Sequence, residues 1–125
     1  MKLQGKNKVY EIDTSECFWN MLVCLEEKSF IGNALPKDCI QNSNGVYVFF
    51  DVNNIPLRIG KAKLLRNRIL SYSQNLNNHK YFDLFQSEIS FVGVIYSKKI
   101  EDKNYCETDL IQSYKPIGNL NELGN

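Results

Sequence analysis

The hydrophobic positions of this chain change period several times, and each change marks an element. From Asp13, Phe18, Met21, Leu22 and Leu25 recur at i, i+3, i+4 and i+7, and Glu16 follows Asp13 by three. That pattern predicts an N-terminal helix with one buried face over Asp13 to Phe30. Ahead of it, KVYEI (Lys8 to Ile12) alternates weakly and predicts a short strand, while Gly32, Pro36, Asn42, Ser43 and Asn44 mark an irregular connection behind it. VYVFF is dense in β-branched and aromatic residues, DVNN supplies turn formers and IPLRI is apolar again, so Val46 to Gly60 reads as a β-hairpin with Pro56 at a strand start or edge. Beyond Gly60 the period lengthens. Leu64, Leu65, Ile69 and Tyr72 fall at helical spacing and predict a helix from Ala62 to Tyr72, with Arg66 and Arg68 on its other faces. A loop and short helix packed through Tyr81, Phe82, Leu84 and Phe85 come next, then a third strand in ISFVGVIYS, where Gly93 signals a bulge or a close backbone contact. The last helix runs from Asp102 to Tyr114, with Leu110, Ile111 and Tyr114 facing inward and Pro116 ending it.

With 125 residues, 43% of them hydrophobic, the chain suits one compact α+β domain with a real core. Its formal net charge of +1 gives no global argument for a polyanionic partner, but the distribution does. Arg58, Lys61, Lys63, Arg66, Arg68 and Lys80 occur without a carboxylate between Asp51 and Asp83, whereas Glu11, Asp13, Glu16, Glu26, Glu27 and Asp38 lie in the first 38 residues. A local basic surface facing an anion fits this asymmetry, as does an ordinary solvated helix face. Cys17, Cys24, Cys39 and Cys106 form no C-x-x-C pair and His79 is the single histidine, so zinc ligation lacks its spacing and reduced, buried thiols are expected. The N-terminus has no apolar signal core and no run approaches a membrane span, so the expectation is a cytoplasmic protein without membrane contact.

Two chemistries drop out at once. IGKAK has no glycine five residues before Gly60 and no Ser or Thr directly after Lys61, which removes a phosphate-binding loop. No G-x-S-x-G elbow accompanies His79, which argues against a Ser-His-Asp hydrolase. What remains is a tyrosine in the hairpin, a basic helix behind it and a carboxylate on a later helix. Those residue types suffice for phosphodiester cleavage: water activation, a divalent cation and charge neutralisation on phosphorus oxygens.

GVY (Gly45 to Tyr47), RIG (Arg58 to Gly60), KAKLLRNRILSY and ETDLIQSYKPIGN (Glu107 to Asn119) together resemble the GIY-YIG nuclease superfamily, most of all the nuclease domain of the bacterial excision-repair incision subunit. The resemblance runs from Gly45 to Asn119. It implies a small three-stranded antiparallel sheet flanked by helices (residues 45–125), here preceded by an N-terminal helical extension packed on it (residues 1–44). It also implies a divalent-metal-dependent endonuclease acting on double-stranded or branched DNA. Carried over by position, Tyr47 matches the tyrosine that helps deprotonate water, Arg68 the helix arginine on the transition-state phosphate, and Glu107 the ligand of one Mg²⁺ or Mn²⁺. Asn119 matches the asparagine that braces the site, Tyr72 a residue near the scissile group, and Lys61 and Lys63 the basic positions that steer the backbone, with Arg66 beside them.

One departure stands out. Arg58 replaces the second motif tyrosine, and a guanidinium cannot serve as a base but can grip phosphate through two hydrogen bonds. The resulting alternatives are an active site with added electrostatic stabilisation, or a catalytically weak or inactive nucleic-acid-binding module. A protein-interaction role for the first 44 residues is a remoter third. Singly, each residue has a plainer account: Tyr47 a strand aromatic, Arg58 a snorkelling edge residue, Arg68 a solvated helix charge, Glu107 an acid favoured near a helix N-terminus, Asn119 a turn former. One site per chain cuts one strand, so a double-strand break would require a homodimer or successive nicks.

Overall fold

The computed structural model describes residues 1–14, 40–74 and 82–122. A three-stranded antiparallel sheet lies at its centre. Strand β3 (Gly45–Phe50) sits between β4 (Pro56–Ala62) and β5 (Phe91–Tyr96), and every residue of β3 is buried. A central strand covered on both faces has no use for polar alternation, which is why GVYVFF reads as a continuous apolar run. Tyr47 and Phe49 point to one face and Val46, Val48 and Phe50 to the other, each set joining a separate core cluster. The hairpin turns where Asp51 Oδ1 accepts hydrogen bonds from the amides of Asn53 (2.8 Å) and Ile55 (2.9 Å), and Asn54 takes the left-handed conformation that asparagine tolerates. Pro56 opens β4, as its missing amide requires.

Helix α1 (Leu65–Gln74) covers the first face, with Leu65, Ile69, Leu70 and Tyr72 against Tyr47 and Phe49. It starts three residues later than its periodicity predicts. Ala62 is still paired with Gly45 in the sheet, and the first free helix amides are met by Ser43 O (to Leu65 N, 2.9 Å) and Asn42 Oδ1 (to Asn67 N, 3.1 Å). Leu64 therefore precedes the helix and is exposed. The short α2 (Phe82–Phe85) continues into a 3₁₀ turn over Gln86–Glu88, burying Phe85 but leaving Leu84 exposed; Tyr81 lies outside the described residues.

On the second face lies α3 (Ile100–Tyr114), packed through Cys106, Leu110 and Ile111. Lys115 caps it in the left-handed conformation, its amide bonded to Ile111 O at 2.8 Å, before Pro116 and a 3₁₀ segment over Ile117–Glu122. A small hairpin, β1 (Lys2–Gln4) with β2 (Val9–Glu11), completes this layer by adding Leu3, Tyr10 and Ile12 to the same core. The chain then runs along the outer edge of β5, where Asp13 and Val94 exchange backbone hydrogen bonds of 3.0 and 3.1 Å. Gly93 makes that approach possible, since a Cβ there would lie 2.8 Å from the side chains of Ile12 and Thr14. Apart from Asp13 and Thr14, the expected N-terminal helix lies outside the described residues, as do Cys17, Cys24, Cys39 and His79; Cys106 is a buried free thiol. Among the described residues no helix is long and apolar enough to cross a membrane.

Candidate active site

The β3–β4 register sets Tyr47 opposite Gly60, and only a glycine fits there. A Cβ on residue 60 would fall 2.3 Å from the Tyr47 hydroxyl, so the phenol ring crosses the floor that the glycine leaves open. The hydroxyl of Tyr47 meets that of Tyr72, delivered by α1, at 2.7 Å, and the two rings stand edge to face with centroids 5.8 Å apart. Tyr47 is fully buried. Burial pushes its pKa well above the ordinary phenol value and the neighbouring Tyr72 adds to this, outweighing the opposite pull of Arg58 and Arg68. It is a neutral phenol at physiological pH.

Behind this pair the C-terminal segment is fastened to β4. Asn119 is completely buried, accepts from Ile59 N through Oδ1 and donates to Ile59 O through Nδ2, both at 2.8 Å. One side chain thus takes the place of a neighbouring strand on the sheet's open edge. Arg58, half-buried, donates from Nη1 to Gly118 O at 3.0 Å in the same seam.

Two hollows open beside β4. A cleft of about 500 Å³ is lined by Lys61, Lys63, Asn67, Arg68, Ser71 and Lys103, with no carboxylate in its wall. The second, about 440 Å³, is lined by Lys61, Glu107, Thr108, Ile111 and Gln112. Lys61 belongs to both. Its ammonium donates to Asn104 Oδ1 at 2.9 Å and stands 3.7 Å from Glu107 Oε1, so the two hollows meet at one side chain. Arg68 and Glu107 therefore line separate hollows that share Lys61, while Tyr47 and Tyr72 line neither. Lys63 is in the cleft wall; Arg66 is on α1 but outside both linings.

Glu107 keeps 15% of its side-chain surface exposed at the wall of its hollow. Among the described residues no three His, Cys, Asp or Glu side chains cluster to form a metal cage. A single carboxylate at the wall of an open hollow suits a hard ion such as Mg²⁺, which retains waters and takes its other oxygens from phosphate, and it does not suit zinc.

Lys103 is the residue that motif matching misses. It is 5% exposed, at the N-terminal end of the stripe in which Cys106 and Leu110 follow at i+3 and i+7. A lysine in register with a buried stripe was the available signal.

The family model described as "UvrC-like GIY-YIG domain" matches residues 43–120. UvrABC system protein C of Helicobacter pylori (strain G27) is 36% identical over 89 residues, covering 65% of this chain but 15% of the relative. The same protein of Prochlorococcus marinus (strain CCMP1986) is 34% identical over 82 residues, covering 65% of this chain and 12% of its own length. The chain thus spans about one seventh of the curated relatives it matches. Among solved structures, the GIY-YIG N-terminal endonuclease domain of UvrC from Thermotoga maritima bound to its catalytic magnesium superposes with a TM-score of 0.55 at 29% identity, over 62% of this chain and 84% of that one. A point mutant of that domain, also holding its catalytic divalent cation, gives 0.53 at 30% identity, over 62% and 83%.

Proposed function

The chain belongs to the UvrC-like GIY-YIG domain family, and we propose that it is a divalent-metal-dependent endonuclease hydrolysing phosphodiester bonds in DNA. The observation that carries this reading is the meeting, at Lys61, of the Arg68 cleft with the Glu107 hollow. Arg68, exposed in the cleft wall, neutralises charge growing on the phosphoryl oxygens. Glu107 would hold Mg²⁺ or Mn²⁺, which when bound supplies Lewis-acid charge stabilisation on the phosphate. Lys61 and Lys63 draw the backbone in, and Arg66 reaches it from outside the cleft. Asn119 holds β4, and with it Gly60 and Lys61, against the C-terminal segment. Tyr47 and Tyr72 act as a hydrogen-bonded phenol pair that braces β3 against α1; burial keeps the Tyr47 proton in place, so it does not serve as a phenolate. In the same reading, residues 1–44 extend a 45–125 core, supported by the shared packing of Leu3, Tyr10 and Ile12.

Incubation of supercoiled plasmid with the full chain tests this. Nicking that requires Mg²⁺ or Mn²⁺ and stops with EDTA is expected; nicking that persists in EDTA, or failure on every DNA form with either metal, would refute it. Two observations favour the second reading, a nucleic-acid-binding module with little catalysis: the Arg58 guanidinium is engaged with the Gly118 carbonyl, and Tyr47 holds its proton. Salt-dependent DNA binding without scission under any metal would establish it.

A further inference from the structure

Lys103 carries the least expected charge in the molecule. Its stem occupies a core-facing position on α3, 5% exposed, yet its ammonium makes no hydrogen bond or ion pair among the described residues. A lysine in a core stripe is uncommon, and it buries its stem while its charged head reaches the surface. The side chain does not end in the core: it joins Lys61, Lys63 and Arg68 in the wall of the 500 Å³ cleft. The acidic residues next to it on α3, Glu101 and Asp102, are exposed and form no part of that wall. Four cations therefore face one space with no carboxylate among them. The cleft falls within the size range of small-ligand pockets and is much larger than a lone ion needs.

We infer that Lys103, with Lys63, binds a second phosphodiester of the DNA backbone, next to the one that Lys61, Arg68 and Glu107 serve. This rests on the endonuclease reading above and adds to it a residue and a contact. Four cations around one space without a carboxylate favour an anion over a neutral substrate, and a phosphate oxygen would meet the Lys103 ammonium in a charge-assisted hydrogen bond. The position on α3 also matters. Glu107 lies one helical turn further on, so the residue that grips the neighbouring phosphate and the residue that would hold the metal are fixed to one rigid element. A backbone seated against Lys103 is then registered relative to Glu107.

The test is DNA affinity as a function of salt, measured by anisotropy on a labelled 20-base-pair duplex in EDTA, where no cleavage intervenes. Lys103→Met keeps the stem and removes the charge. It is expected to bind about three- to tenfold more weakly at 100 mM KCl, to lower the slope of log K against log salt by about one, and to melt no lower than the wild type. Lys103→Arg should keep the slope, and Lys103→Gln serves if the Met variant fails to fold. Lys2→Met, which removes a charge paired with Glu11 on the remote hairpin, should leave the slope unchanged. Wild-type slope and affinity in Lys103→Met, beside a salt-dependent wild type, would overturn this inference alone. An equal loss in Lys2→Met would reduce the effect to net charge and overturn it too. Duplexes with 5′-phosphate and 5′-hydroxyl ends should bind alike; dependence on Lys103 only with phosphorylated ends would assign the cleft to a terminal phosphate and refute the diester contact. A wild type that binds no duplex at low salt would sink the endonuclease reading and this inference together.

Discussion

Asp109 and Lys103 are both buried charges on α3, six residues apart, and the structure treats them in opposite ways. Asp109 is 2% exposed and every oxygen is used: Oδ2 accepts from the Tyr10 hydroxyl at 2.8 Å, and Oδ1 from the backbone amide and side chain of Asn7 at 2.9 and 3.0 Å. Gly5 lies so close that a Cβ there would sit on Asp109 Oδ2. The Lys103 stem is buried nearly as deeply, but its ammonium has no such company among the described residues and opens into the cleft. The difference teaches how to read a buried charge. One whose partners all lie within the chain is a fastening, here of the β1–β2 hairpin to α3. One without a partner among the described residues, whose head opens at the wall of a cleft, is available to a ligand.

Replacing Asp109 is expected to give the largest change in stability. Asp109→Ala strands the Tyr10 hydroxyl and the Asn7 amides against α3, and each buried donor left unsatisfied costs about 1–3 kcal/mol. Urea unfolding should register that loss while the folded fraction retains duplex affinity; a loss below about 1 kcal/mol would erase the contrast with Lys103.

Asn119 gives a smaller check on another element, since it is buried and its partners are on β4. Asn119→Ala leaves both Ile59 backbone groups without these bonds, for a loss of about 2–3 kcal/mol, plus slower cleavage as β4 loosens. Unchanged stability would mean that water replaces the amide freely and that the seam is not a brace.

The weakest effect is a titration. Cys106 lies between the two charges in sequence, and burial first, then the Asp109 carboxylate, push its thiol from the ordinary value up to about 12. A pKa raised on folding stabilises the protein fully below about pH 9 and ceases to do so as pH rises through about 12, so unfolding free energy should decline across that window. In Asp109→Asn the thiol should titrate lower, followed by its ultraviolet absorbance; an unmoved midpoint would mean that the carboxylate does not reach it.

Much of the fold was legible because burial imposed it on local sequence. GVYVFF could only be a strand with two covered faces, the turn residues of DVNN were all where the hairpin bends, and Gly93 marked a real backbone approach. Helix α1 was misplaced at its start because Ala62 is apolar both as the last residue of β4 and as a helix former, so period alone could not choose. Lys2–Gln4 has no pattern of its own and becomes a strand only by pairing with Val9–Glu11. Of the residues that the spaced motifs named, Tyr47 meets Tyr72, Asn119 fastens β4, and Arg68 and Glu107 line separate hollows that share Lys61. Lys103 belongs to no motif. Its meaning depends on burial against a cleft made by residues some forty positions away, which spacing along the chain does not encode.

Binding and scission measured together on Glu107→Gln test the central claim most directly. The two hollows are read as one site in which Glu107 serves the metal and the cations serve the DNA. Glu107→Gln should therefore hold a duplex at least as tightly as the wild type, having lost a negative charge beside Lys61, while Mg²⁺-dependent nicking falls by about a hundredfold or more. Wild-type nicking by that variant, in Mg²⁺ and under single-turnover conditions, would contradict the account.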